Sequence, residues 1–226
     1  MNSLTEIEKT LYESEKFKII EANSYKHAVA SAKICSMEFV NCPFFGGLGI
    51  PEEEIYTIAL EAAKHSLKDK LLHVVIEKET NEIVTTSVGL SYIGKHDFEN
   101  GLKEINFSFN LDMFFDLTAQ VELVERNDPT SVYLFLFATL GTKRNMSLGT
   151  NIVRVVLKDL NKKGFKVAYG ETVNEKAEYI VKKNGAKVCK KMFYEDYEYN
   201  GRRLKIIKQR ETQSAFEFDL TNKIFN

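Results

Sequence analysis

The chain is poor in the residues that would indicate cross-linking or metal. Its 226 residues include three cysteines and four histidines. Cys35, Cys42 and Cys189 lie far apart without CxxC spacing, which argues against a disulfide framework and a cysteine-based zinc site. His27, His65, His73 and His96 lack metal-ligand spacing, so no metal is expected. An excess of one charge is missing too: 31 Lys and Arg stand against 32 Asp and Glu, a formal net charge of −1. A chain so near neutrality has no electrostatic reason to hold nucleic acid or an anionic membrane. The longest nearly apolar run, Val132–Leu140, is far too short to span a bilayer. The opening stretch, MNSLTEIEKTLYESEK, is too acidic and polar for a signal peptide. A soluble cytoplasmic protein, monomer or homodimer, is the expectation.

The chain is 44% hydrophobic, with 16 Phe and 10 Tyr, enough to fill a sizeable core. Phe17–Glu21 is short and β-branched, as a first strand would be, and residues 2–16 read as a short helix or a frayed leader. Tyr25–Val40 has a helix-compatible pattern, broken by Pro43 and Gly46-Gly47 into a loop that runs to Pro51. Pro51 followed by three glutamates starts the next helix. Two strands around Thr80-Asn81 form a hairpin, and 94–130 is an irregular insertion with two helical pieces. Ser131–Thr139 is a near-continuous apolar and aromatic run, as expected of a strand covered on both faces. A helix, strand, helix and strand follow, and Asn200-Gly201 turns into a strand at Arg203–Gln209. The expected class is mixed α/β (α+β) in one domain. Residues 17–130 form its first half, 131–210 its second, and 1–16 and 211–226 are terminal extensions.

Chemistry concentrates in G-T-K-R-N-M-S-L-G, Gly141–Gly149, between the apolar strand and the next helix. Its small residues let backbone N–H groups approach a ligand, and the helix start adds unsatisfied donors and a positive dipole end. Lys143 and Arg144 add two cations. The loop is suited to a pyrophosphate, and an ordinary strand-to-helix turn with solvated basic residues stands beside that reading.

Arg144-x-x-Ser147-x-Gly149 resembles the R/Q-x-x-G-x-G/A signature of the GNAT acetyltransferase superfamily, with Ser in place of the central Gly. The superfamily's second mark is a strand, then N-x-x-A opening a helix, then a Gly turn. It is matched by Val167–Gly170, Asn174-Glu175-Lys176-Ala177 and Asn184-Gly185-Ala186. The likeness covers about seventy residues, and its nearest subfamily is the insect-type arylalkylamine (dopamine) N-acetyltransferases. The resemblance implies a mostly antiparallel sheet with helices on both faces and a splayed cofactor strand. It implies acetyl-CoA as cofactor, its pyrophosphate over Lys143, Arg144, Asn145, Met146, Ser147, Leu148, Gly149 and Thr150. The pantetheine arm would lie along Ala138, Thr139 and Leu140, with Asn174 and Ala177 beside it. It also implies a small-molecule amine acceptor, an arylalkylamine or polyamine, that attacks the thioester directly.

The acid and base of the superfamily do not carry over. The position of its common tyrosine is Val181, the insect-type Glu-Pro falls on Cys42-Pro43, and the two insect-type serines fall on Val173 and Ala177. Glu171 is therefore the first candidate for proton acceptor and Glu38 the second, against a plain surface role for each. Cys42 has no histidine in an obvious partner position, so it reads as a packing residue. The cluster Phe107–Phe115 fits an acceptor-pocket wall or simply core. Three functions follow: a small-amine N-acetyltransferase, an acyl-CoA-binding sensor or inactive relative, and a protein N-acetyltransferase.

Overall fold

A computed structural model describes residues 9–203 and 212–222. The sheet at its centre is built from β1 (Lys9–Glu13), β2 (Phe17–Glu21), β3 (Leu72–Glu77), β4 (Ile83–Ser91), β5 (Ser131–Thr139), β6 (Val167–Thr172), β7 (Lys187–Phe193) and β10 (Thr212–Asp219). Their order is β1-β2-β3-β4-β5-β6-β10-β7. Neighbours pair antiparallel except β5 and β6, which are parallel. Glu198–Tyr199 (β8) and Arg202–Arg203 (β9) form a separate small hairpin about Asn200-Gly201, with both turn residues at positive φ.

Helices cover both faces. On one lie α1 (Tyr25–Val40), α2 (Pro43–Leu48), α3 (Glu52–Lys68), α4 (Tyr92–Leu102) and α5 (Phe109–Val121). On the other lie α6 (Leu148–Lys162) and α7 (Glu175–Lys183). In α6 the buried Ile152, Val153, Val156, Leu157 and Leu160 recur at helical spacing and form one stripe toward the sheet. Strand β5 is apolar from Val132 to Ala138 because each face meets a helix layer. Its alternation slips once. Leu136 pairs with Val88 and Leu134 with Gly89, so Phe135 is an extra residue in a bulge. Phe135 and Leu136 consequently both face the α1–α5 layer.

Three expectations are corrected. Lys9–Glu13 is an edge strand paired to β2, because Lys9 finds Glu21 and Asp159 as partners. The 43–51 loop holds the short helix α2, since Pro43 at a first helical position favours entry and Cys42 Sγ accepts the Phe45 N–H. Residues 212–219, read as part of a tail, are an interior strand between β6 and β7, where Ala215, Phe216 and Phe218 are buried. The strand expected at 203–209 lies largely outside the described residues.

An ion cluster around the buried Asp159 and His73 ties the β1 edge to α6. Asp159, 3% exposed, receives His73 Nε2 at 3.0 Å, Lys9 at 3.0 Å and Lys163 at 2.5 Å. Lys9 and Lys163 also reach Glu21, each at 2.9 Å. Burial alone would raise the Asp159 carboxyl, but its donors outweigh that and hold it below the usual carboxylate range. Its stabilisation is therefore complete above the ordinary carboxylate pKa and is lost as the pH falls through the depressed one. Asp159→Asn removes the charge that the buried His73 and the partly exposed Lys163 and Lys9 share, and is expected to cost about 2 kcal/mol in urea melts at neutral pH. The gap from wild type should narrow as the pH falls below about 4.

Candidate functional site

The parallel pairing of β5 and β6 lasts three residues, Ser131–Tyr133 with Val167–Tyr169, and then ends. Gly170 sits at the point of departure. A Cβ there would run into the Leu134 carbonyl and touch the Phe216 ring, so only glycine lets the two backbones come this close before they part. The bulge at Phe135 follows at once and turns β5 away. Past Tyr133 and Tyr169 the two strands are no longer paired, and the opening between them is a cleft with β5 and β6 as its walls.

Strand alternation decides which backbone groups face that cleft. The Leu140 N–H donates to the Val84 carbonyl at 2.9 Å, so Leu140 and Ala138 turn their polar groups toward β4. Those of Phe137 and Thr139 turn the other way, to the open edge. Of the expected trio, only Thr139 thus offers its backbone to a ligand in the cleft. Phe137 joins it, a residue missed because the bulge shifts the alternation. The Thr139 hydroxyl accepts from Thr85 at 3.1 Å, as suits a non-hydrogen-bonded pair with close side chains.

At the far end of β5, a 3-10 turn over Gly141–Lys143 leads into the loop. Asn145 and Ser147 have φ of 66° and 57°, the left-handed region that glycine enters freely. That explains the glycine this position carries in the signature, and Ser147 holds the same conformation at some strain. The first bond at the α6 start runs from the Asn151 N–H to the Ser147 carbonyl at 3.0 Å. The N–H groups of Leu148, Gly149 and Thr150 are therefore left without a partner in the helix. Gly149 fits beneath Phe137 and Ile180, at 3.4 and 3.2 Å from where a Cβ would stand. Both loop cations have carboxylate partners: Lys143 reaches Glu77 at 2.6 Å and Arg144 reaches Glu38 at 2.5 Å. Met146 is half-exposed.

Asn174 caps α7, its side-chain oxygen accepting the Ala177 N–H at 2.9 Å. The N-x-x-A pair is therefore bonded within itself, at the mouth of the cleft beside Val173.

Glu171 stands on the α1–α5 side of β6, two residues past Tyr169. The Tyr133 hydroxyl donates to its Oε2 at 2.5 Å. Its Oε1 is buried without a protein partner, as is the Tyr169 hydroxyl. Burial pushes Glu171 up to about 8; the Tyr133 hydrogen bond pulls the other way and the Glu122 carboxylate adds to the rise. Burial and Glu171 together hold the Tyr133 phenol well above its ordinary value. Lys95, buried in the insertion, lies 5.3 Å from the centre of the Tyr133 ring and pairs with Glu122 at 2.9 Å. Neither Tyr133 nor Lys95 carried a motif, and only the apolar strand around Tyr133 hinted at burial.

Glu38, on the last turn of α1, accepts the Gly141 N–H at 2.7 Å through one oxygen and Arg144 through the other. It is placed at the loop, apart from Glu171. The insertion packs as core on this side: its Phe114 meets Phe45 at 4.8 Å and Phe44 at 5.9 Å, and Phe44 in turn stacks on Tyr194 at 4.5 Å. Phe107 and Phe115 touch at 5.9 Å at its margin. Tyr197 pins α5 from below, donating to the Met113 carbonyl and to Asp116. Burial pushes the Cys35 thiol up to about 12. No group of three His, Cys, Asp or Glu among the described residues could hold a metal ion, and no helix there is long and apolar enough to cross a membrane.

The overall fold recurs in solved structures. The chain has the GNAT fold. Arylalkylamine N-acetyltransferase 2 from Aedes aegypti is 13% identical, with 90% of this chain and 99% of that one covered and a TM-score of 0.69. The C-terminal condensation domain of Ebony, solved with beta-alanyl-dopamine, is 13% identical over 90% of this chain and 99% of that one, TM-score 0.76. A Drosophila melanogaster polyamine N-acetyltransferase that forms N-acetylagmatine is 12% identical over the same shares, TM-score 0.66. No family model and no curated protein sequence matches the chain. Identities this low speak for the fold and leave the chemistry to the site.

Gly170→Ala should cost about 2 kcal/mol, because the added methyl meets backbone that cannot rotate away. Chemical denaturation checks the loss, and stability unchanged from wild type would contradict the close approach of β5 and β6.

Proposed function

We propose that the chain is an acetyl-CoA-dependent N-acetyltransferase acting on a small primary amine. The observation that carries this reading is one cleft with three parts. These are an unpaired backbone edge at Phe137 and Thr139, open N–H groups at Leu148–Thr150, and a shielded carboxyl, Glu171, on the acceptor side. The residues fit the cofactor: the open N–H groups at Leu148–Thr150 make a cradle suited to a pyrophosphate, and Gly149 lets the helix start seat closely on Phe137 and Ile180 beneath it. Bound acetyl-CoA supplies a thioester, whose acyl carbon is the electrophile.

In this reading the Thr139 edge orients the pantetheine arm by strand-like hydrogen bonds, and the loop holds the phosphates. The amine enters from the α1–α5 side. Glu171, through Oε1, takes the proton the amine must lose, directly or through one water. Tyr133 holds the other oxygen and favours the ionised form. With Glu171 near 8, half of it is ionised at that pH, which suits a base for amine chemistry. Arylalkylamine- and polyamine-acetylating neighbours both use this fold, and the aromatic insertion beside a carboxyl is compatible with either acceptor. The structural unit then runs as one domain whose cofactor half is 131–219, since β10 completes its sheet.

A second reading is a CoA-binding protein without turnover. It is favoured by Val173 at the cleft mouth and the buried Val181, apolar where active relatives are expected to carry hydroxyls. Thiol release from acetyl-CoA across an amine panel, with binding measured in parallel, separates the two: binding with no turnover on any amine overturns the enzyme reading.

The rate should rise with pH through about 8, as Glu171 loses its proton. Glu171→Gln should lower kcat/KM about 100-fold with CoA affinity kept. Tyr133→Phe removes a hydrogen bond to the ionised form, so its pH profile should move upward, the opposite of what a mere packing loss requires.

A further inference from the structure

The Arg144 guanidinium and the Gly141 N–H are both engaged by one carboxylate, that of Glu38, at 2.5 and 2.7 Å. Glu38 arrives from α1, over a hundred residues earlier in the chain, with its side chain 15% exposed, while that of Arg144 is 58% exposed. The N–H groups at the α6 start are not used by it. An internal anion thus already sits on one cationic arm of the loop and leaves the backbone cradle clear.

Resting on the cofactor reading above, we propose that Glu38 is an internal counter-ion that cofactor pyrophosphate displaces from Arg144. A phosphate oxygen asks for the same charged donor that Glu38 now holds, and a planar guanidinium serves either partner. The exchange is cheap, since an exposed pair of this kind contributes little and Arg144 needs only to rotate about its side chain. No bond is made or broken; one anion replaces another, and Glu38 keeps or leaves the Gly141 N–H. The pair thereby lowers the apparent cofactor affinity. A carboxylate that merely braced the loop would act in the opposite direction, because losing it would loosen the cradle.

The direction of one substitution decides between the two. Titration calorimetry of the full chain with CoA is made on wild type, Glu38→Gln, Arg144→Gln and Glu125→Gln, the last an exposed acid away from the loop that controls for net charge. Thermal melts confirm that each variant folds. Glu38→Gln should tighten CoA binding roughly two- to five-fold, Arg144→Gln should weaken it, and Glu125→Gln should leave it unchanged. Binding of pantetheine, which has no phosphate, should be the same in Glu38→Gln and wild type. Weaker CoA binding by Glu38→Gln, or equal tightening by Glu125→Gln, overturns the inference and leaves the cofactor reading standing. Inorganic pyrophosphate is titrated as well: if wild type binds neither it nor CoA, both the cofactor reading and the inference fall.

Discussion

The parting of β5 from β6 after three paired residues is the constraint on which the rest of the site depends. Two parallel strands in register would ordinarily continue to bond. Here Gly170 admits the Leu134 carbonyl to a distance no side chain would allow, and the bulge at Phe135 then adds a residue to one strand alone. The strands cannot stay in phase after that, and they open. The candidate site lies along the opening. The Thr139 edge is left unpaired, α6 starts at its far end, and Glu171 stands at the near wall beneath Tyr133. A continuous sheet of the same composition would have satisfied its own hydrogen bonds and had none to offer a ligand.

Carboxylates around the cleft divide into two kinds, and environment alone separates them. Glu171 is buried with a phenol as neighbour, so its neutral form persists to a pH where amines begin to lose protons. Glu38 and Glu77 lie at the cleft's end with a cation each, on the same loop. One set suits proton transfer and the other suits charge balance. The near-zero net charge of the chain hides this local arrangement completely.

The insertion between β4 and β5 links the two halves. Its α4 brings Lys95 beneath Tyr133, and its α5 is bolted to the turn after β7 by Tyr197. Phe44, Phe45, Phe114 and Tyr194 close the space between. The aromatic residues so abundant in the composition therefore act mainly as packing among α2, α5 and the turn after β7, rather than as an open pocket.

Features set by short-range rules were legible without coordinates. The α6 stripe follows from 3.6-residue spacing, the Asn174 cap from its residue type and the glycine-rich loop from its position between strand and helix. The open sheet with helices on both faces followed from the resemblance those marks carry. What stayed hidden was every pairing across distance. β10 looked like a polar tail because its neighbours, β6 and β7, are elsewhere in the chain, and the Lys9 edge strand was hidden for the same reason. The bulge at Phe135 could not be read from one strand, since a bulge is a mismatch between two. By itself, then, the sequence determined the elements and the loop chemistry, because those depend on residues a few positions apart. Tertiary structure decided which backbone groups face the cleft, which carboxylate is buried and which is paired. Those properties belong to the surroundings of a residue, and the fold supplies the surroundings.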